Sequence, residues 1–212
     1  NWKTLGKLIG GTQFGEFRKI TEDAFDVYLN EGELDKLIRV ELTDREAVAR
    51  DWFVLDCYTG LRISDLTRLN KENLTGDFIT IANEKTDDTV VLPLHPRAME
   101  VVKRYGGFPP RVSDQELNRT IKAVCRKAGI TDKVLTTITK GGVRVDKYLP
   151  KWQLVTNHTA RRSFITNLRK TGTPDTIIMK LAGIRSAATL AKYDKLTAEE
   201  AGRVQPGGLS GR

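Results

Sequence analysis

Apolar residues recur at helical spacing along much of the chain from about residue 21 onward. Leu34, Leu37 and Ile38 fall on one helical face, and Thr43-Asp44 precedes a second helix that is apolar on more than one side. Such a helix is expected to be buried on most sides and to end at Gly60. The remaining helices are predicted at 63–69, 99–105, 114–128, 159–170, 174–181 and 186–195, with Thr173 capping the one that starts at Pro174.

Two β-branched runs predict a hairpin between these helices. Residues 78–81 and 89–92 are the strands, and the polar segment NEKTDD between them is the turn. Residues 133–156 are polar, β-branched and glycine-containing, which predicts an extended excursion on the surface. The sequence contains no internal repeat. The predicted fold is mainly α with a small antiparallel β-sheet (α+β), in one domain.

Composition and charge narrow the classes of function. No apolar run in the 212-residue sequence approaches the length of roughly 18 residues that a membrane span needs. Two cysteines without a CxxC spacing and two distant histidines favour reduced thiols and argue against a zinc site. The net charge is +8, and residues 95–172 hold 17 basic and only five acidic side chains. That segment fits a polyanion such as nucleic acid, although a basic but inert face remains the alternative.

Five polar residues are candidates for chemistry. Each has an ordinary explanation when taken alone, as a surface cation, a helix-start histidine or a packed tyrosine. His158 and Arg161 lie three residues apart at a helix start, so their side chains should point the same way. The five are Arg62, Lys85, His158, Arg161 and Tyr193.

Together with their surroundings, these residues resemble the catalytic domain of a tyrosine recombinase, the phage-integrase family. The matching segments occur in the family's order and at its spacing. They resemble in particular the corresponding segments of integrases carried by mobile elements of Bacteroidetes. The segments are YLNEGELDKL (28–37), TGLRISDL (59–66), EKT before VVLPL (84–94), HTARRSFITNL (158–168), and IMKLAGIR followed by Lys192-Tyr193.

The resemblance assigns a role to each candidate. Arg62 and Arg161 correspond to the two catalytic arginines, Lys85 to the hairpin lysine, His158 to the histidine and Tyr193 to the nucleophile. One position departs from the family's pattern. Ile184 stands nine residues before the tyrosine, where the family usually has His or Trp, and an isoleucine cannot donate a hydrogen bond to a phosphate.

The chemistry of the side chains fits these roles. Two permanently charged, fork-shaped guanidiniums can bind the non-bridging oxygens of a phosphodiester and stabilise the charge of a pentavalent state. A phenol with an ordinary pKa near ~10 needs a base or a cationic field to lose its proton, and a lysine can protonate the departing 5′-oxygen. The product is a 3′-phosphotyrosyl link, formed without metal, ATP or other cofactor.

The resemblance also implies an organisation for the whole chain. Residues 1–20 are expected to be a linker remnant from a missing N-terminal core-binding domain, 21–197 the catalytic domain, and 198–212 a flexible tail. Double-stranded DNA is the implied partner, bound by a homo-tetramer that exchanges a C-terminal segment from Leu196 onward, with possible accessory DNA-bending or directionality factors. No membrane is involved, and the implied location is the bacterial cytoplasm, at the nucleoid when DNA is bound.

Two other functions stay open from the residues alone. A type IB topoisomerase uses the same chemistry to relax DNA without exchanging strands between partners. A catalytically weakened DNA-binding module is the second, with Ile184 as the sign of a decayed site.

Overall fold

The structure, a computed structural model, describes residues 27–82, 89–140 and 143–193. No helix within these ranges has the length and apolar composition needed to cross a bilayer. The described residues form α-helices at α1 Glu31–Arg39, α2 Asp44–Thr59, α3 Ile63–Leu66, α4 Pro96–Tyr105, α5 Asp114–Lys127, α6 Lys151–Leu154, α7 Asn157–Lys170, α8 Asp175–Leu181 and α9 Ala187–Ala191. Their strands are β1 Leu74–Thr75, β2 Phe78–Ala82, β3 Thr89–Pro93, β4 Lys133–Lys140 and β5 Val143–Pro150. This architecture confirms the predicted fold class.

Helix α2 is the centre of the main core, as its apolar sequence predicts. It begins with a capping box in which Thr43 and Glu46 satisfy each other's backbone N–H groups. Every residue from Ala49 to Thr59 is buried. Helices α4, α5 and α7 pack around it. Gly60 ends the helix in the left-handed conformation, as expected.

The predicted hairpin forms two strands of a three-stranded antiparallel sheet in the order β1-β2-β3. Ile79 opposes Leu92 and Ile81 opposes Val90, so the four apolar side chains lie on the face that joins the core. The sequence analysis did not predict β1, whose two residues are too few to give a strand pattern. The turn between β2 and β3, and with it Lys85, lies outside the described residues.

The excursion predicted after residue 133 is a second antiparallel pair, β4 and β5, in a separate two-stranded sheet. Leu135 opposes Tyr148 across it, and these two side chains are 55% and 64% exposed. The pair leads into α6, where the Lys151 ammonium binds the Glu33 carboxylate of α1 at 2.7 Å. Since α6 leads directly to α7, this contact fixes the approach to the helix that carries His158.

A smaller apolar cluster joins α7 to α8 and α9. The prediction that Thr173 caps α8 was wrong. Pro174 is the N-cap residue and lies outside the helix, with an extended ψ of 140°, while the Thr173 hydroxyl is engaged by Thr171 at 2.9 Å. Helix α9 is capped by Ser186 and ends at Ala191, earlier than predicted. Its short length leaves Tyr193 just beyond the last helical turn.

Candidate active site

Four of the five candidate residues converge on one side of the domain. Arg62 is the N-cap residue of α3, directly after the turn that ends α2. His158 and Arg161 lie in the first turns of α7, and Tyr193 follows α9. The structure therefore brings together two guanidiniums, an imidazole and a phenol from three separate parts of the sequence. Lys85, the fifth candidate, lies outside the described residues.

The turn at Gly60 sets the position of both arginines. Its φ of +61° favours glycine, and a Cβ there would lie 2.2 Å from Cδ1 of Phe164 in α7. This close approach brings the end of α2 against α7. The Gly60 amide donates to the Asp56 carbonyl at 2.7 Å, and its own carbonyl accepts a hydrogen bond from Nη1 of Arg161. The same turn thus aims Arg62 through the backbone and Arg161 through a hydrogen bond.

Both guanidiniums also bind the turn between α8 and α9. Nη2 of Arg161 donates to the carbonyl of Ala182 at 2.7 Å, and Nη2 of Arg62 donates to the carbonyl of Gly183 at 3.3 Å. Arg161 is only 2% exposed. These backbone hydrogen bonds hold both guanidiniums in place before any substrate arrives.

Tyr193 lies against His158 and Arg161. Its ring centroid is 5.3 Å from that of His158, with the planes tilted by 53°. The guanidinium carbon of Arg161 lies 5.2 Å from the same ring centroid, within the range of a cation–π contact. His158 is exposed and Tyr193 is half-buried. The expectation that His158 and Arg161 face the same way is confirmed, because both meet the tyrosine.

Several neighbouring groups act on the charge of the buried Arg161 guanidinium. Burial lowers the pKa of Arg161, with the positive charge of Arg62 acting in the same direction, while Tyr193 and Asp56 act to raise it. An arginine stays protonated at neutral pH despite such a shift. Two positive charges, those of Arg62 and Arg161, therefore act on each other here, and together they favour a bound anion.

A cavity of about 220 Å³ opens beside these groups. Asp56 lines it, which the sequence analysis did not anticipate. The available signal was an acidic residue inside the apolar run FVLDCY, where a charge is out of place on a buried helix. The lining residues are Asp56, Leu61, Ile63, Asp114, Asn118, Thr156, Asn157, His158 and Arg161.

Ile184 is part of the small apolar cluster. It is 5% exposed and belongs with Ile178 and Leu190, and Tyr193 packs against the same cluster. Its side chain therefore supports the segment that carries the tyrosine. Within the described ranges, no group of three or more His, Cys, Asp or Glu residues is arranged to hold a metal ion.

Comparison with known proteins gives one family. A sequence profile described as the phage integrase family matches residues 28–200. No curated protein sequence matches the chain significantly.

Solved structures of recombinases and integrases share the fold. XerA recombinase is 20% identical, with a TM-score of 0.61 over 82% of this chain and 60% of its own. A lambda integrase dimer bound to a COC′ core site is 16% identical, with a TM-score of 0.55 over 81% of this chain and 62% of that one. The Tn1549 transposon integrase with circular intermediate DNA is 17% identical, with a TM-score of 0.54 over 84% of this chain and 64% of that one. The chain thus spans about three fifths of the length of these solved chains.

Proposed function

The chain belongs to the phage integrase family, and we propose that it is the catalytic domain of a site-specific DNA recombinase or integrase. It breaks and rejoins DNA strands through a 3′-phosphotyrosyl intermediate. The observation that carries this proposal is that the Tyr193 ring lies close to both the His158 imidazole and the Arg161 guanidinium. A tyrosine that served only to pack the fold would need neither an exposed imidazole nor a buried guanidinium beside its ring.

The first step we propose is capture of the scissile phosphate. Arg62 and Arg161 keep their carbonyl partners at Gly183 and Ala182 and donate their other N–H groups to the non-bridging phosphate oxygens. A carbonyl is a neutral acceptor, whereas a phosphate oxygen is charged and forms the stronger hydrogen bond with a guanidinium. Phosphate binding is favourable for this reason, and the carbonyls keep the two guanidiniums in place.

The second step is attack by the phenol. The Tyr193 oxygen forms a bond to phosphorus as the bond from phosphorus to the 5′-oxygen breaks, and the two arginines stabilise the added charge. His158 is the nearby group suited to accept the phenolic proton. By resemblance to the family, Lys85 protonates the departing 5′-oxygen. Reversal by a 5′-hydroxyl from another strand completes recombination.

Double-stranded DNA is the proposed partner. The excess of basic residues in 95–172 supports a polyanion, and solved relatives of the same fold are bound to a core site or to circular intermediate DNA. By resemblance we also propose a homo-tetramer on two sites and, as possible additions, accessory DNA-bending or directionality factors. The proposed location of the protein is the bacterial cytoplasm, where its DNA partner lies.

The proposal is tested by trapping the covalent intermediate. A nicked duplex carrying a candidate attachment site is incubated with the protein, and denaturing electrophoresis separates a protein–DNA band. Tyr193→Phe removes one hydroxyl and should abolish the band while leaving DNA binding nearly unchanged. Tyr148→Phe is the matched control, because this tyrosine is exposed on β5 and should leave the band intact. A covalent band that persists in Tyr193→Phe rules out this assignment.

A further inference from the structure

Asp56 has an unusual environment for a buried carboxylate. It lies in the last turn of α2 and is 3% exposed. Its carboxyl group accepts a hydrogen bond from the Leu61 amide, yet Oδ1 has no hydrogen-bond partner within the described residues. A buried polar oxygen without a partner costs free energy, so its position calls for a functional explanation. The side chain lines the cavity that Arg161 and His158 also line.

A second aspartate of the same helix provides the contrast. Asp51 is 1% exposed, but Arg50 donates to its Oδ1 at 2.7 Å, while Arg104 and the Tyr105 hydroxyl donate to Oδ2. It is a fully paired structural carboxylate. Asp56 differs because its unpaired oxygen is at the candidate active site.

We propose that Asp56 is a positioning residue that takes up a proton when a phosphate binds at Arg161. The inference rests on the proposed role of Arg161 as a phosphate ligand. An ionised Asp56 competes with the phosphate for the positive charge of Arg161, and a bound phosphate in turn favours the neutral carboxyl. One proton passes from solvent to Asp56 on binding, and it returns when the phosphate leaves. The coupling is reciprocal, so a rise in pH must weaken phosphate binding.

The electrostatics of the site support this coupling. Burial raises the pKa of Asp56 well above its usual range, while the Arg161 charge and the Leu61 amide oppose the shift. Burial and the Arg161 charge therefore act on Asp56 in opposite directions, and a negative charge added nearby favours the protonated form. The ionisable groups around Asp56 are Arg161 and His158 from α7, Asp114 from α5, and Cys57 beside it in α2, with Arg62 acting on Arg161.

Sulfate is the probe, because it is a tetrahedral anion that does not titrate near neutral pH. Its affinity for the 212-residue chain is measured by calorimetry across a series of pH values. The wild-type affinity should fall by up to about tenfold per pH unit while Asp56 ionises. Asp56→Asn keeps the shape and the acceptor for Leu61, and it should remove that part of the slope. Both proteins are also measured with His158→Gln, which removes the contribution of the imidazole.

Asp51→Asn is the matched control and should leave the slope unchanged. If Asp56→Asn and wild type have the same slope in the His158→Gln background, the inference is overturned. Should the variant fail to fold, infrared difference spectra of the wild type decide the question. Sulfate must convert a carboxylate band to a protonated carboxyl band, and an unchanged spectrum also overturns the inference.

The covalent assay separates this inference from the proposed function. A covalent band with the wild type, together with an unaltered pH slope in Asp56→Asn, leaves the recombinase proposal intact and removes only the role of Asp56. Loss of the covalent chemistry itself would instead count against the proposed function.

Discussion

Gly60 leaves no room for a Cβ against Phe164 beside the candidate active site, and Gly60→Ala tests this contact directly. The new Cβ would lie 2.2 Å from the aromatic ring, and the residue would keep a φ of +61°. The left-handed conformation costs a non-glycine residue about 1–2 kcal/mol. Overpacking against the ring adds about 1–3 kcal/mol. Gly60→Ala should therefore lower the free energy of unfolding by about 2–5 kcal/mol, a large part of the stability of an ordinary domain.

Gly106→Ala is the matched control for the backbone contribution. Gly106 ends α4 with a φ of +58°, yet a Cβ there meets nothing within 4 Å. Its substitution should cost only the conformational part, about 1–2 kcal/mol. Urea unfolding followed by circular dichroism gives both values by linear extrapolation. Equal losses of unfolding free energy in the two variants would refute the reasoning, because they would mean that the Phe164 ring moves aside without destabilising the fold.

The position of the Gly60 carbonyl adds a functional expectation. Since this carbonyl accepts a hydrogen bond from Arg161, a displaced turn should slow DNA cleavage as well as destabilise the fold. Gly106→Ala should leave cleavage unchanged. In a double-mutant cycle, Gly60→Ala and Phe164→Leu should show a coupling energy of about 0.5–3 kcal/mol.

Four further substitutions test the site. Arg62→Lys and Arg161→Lys keep the positive charge but lose the forked guanidinium. Each should slow single-turnover cleavage about 10²–10³-fold. If the defect disappears at saturating DNA, the two arginines only bind the DNA backbone. Ile184→His should raise the cleavage rate if the imidazole reaches the phosphate. It should also lower the melting temperature, because the position is only 5% exposed and a polar ring would be buried there. A slower enzyme with an unchanged melting temperature would contradict both expectations. For Asp56, the folded-state pKa is raised, so the folded protein holds a proton that the unfolded chain releases above pH about 4. The wild-type free energy of unfolding should then fall with rising pH by about 1.4 kcal/mol per unit until the folded carboxyl ionises, and urea titrations should find this slope absent in Asp56→Asn.

Local sequence patterns predicted most of the architecture. The apolar run in α2 indicated burial on several sides, and the residues from Ala49 to Thr59 are indeed buried. Two β-branched runs predicted β2 and β3, whose buried faces meet in register. The start of α8 was missed because Thr173 and Pro174 fit a cap by residue type, whereas in the structure Pro174 is the N-cap residue and the Thr173 hydroxyl is engaged by Thr171.

The candidate site was predicted by the order of its sequence segments, and its geometry came only with the fold. Spacing alone suggested that His158 and Arg161 share a side of α7. The contacts of Arg62 with Gly183 and of Arg161 with Ala182 join distant parts of the chain, and no periodicity encodes them. The role of Asp56 was likewise hidden, since a single acidic residue in an apolar helix does not reveal which of its oxygens lacks a partner.

The arginines of this site are oriented by main-chain oxygens, at Gly60, Ala182 and Gly183. Every residue type supplies a carbonyl, so the side chains of the turn between α8 and α9 can change during evolution while the guanidiniums keep their acceptors. An isoleucine at 184 is compatible with such a design, because the identity of that side chain does not determine how Arg62 and Arg161 are held. The conformational entropy of two long side chains is also lost at folding rather than at binding. Under the proposed function, a DNA phosphate meets two guanidiniums that the main chain already holds, and little of its binding free energy is spent on ordering them.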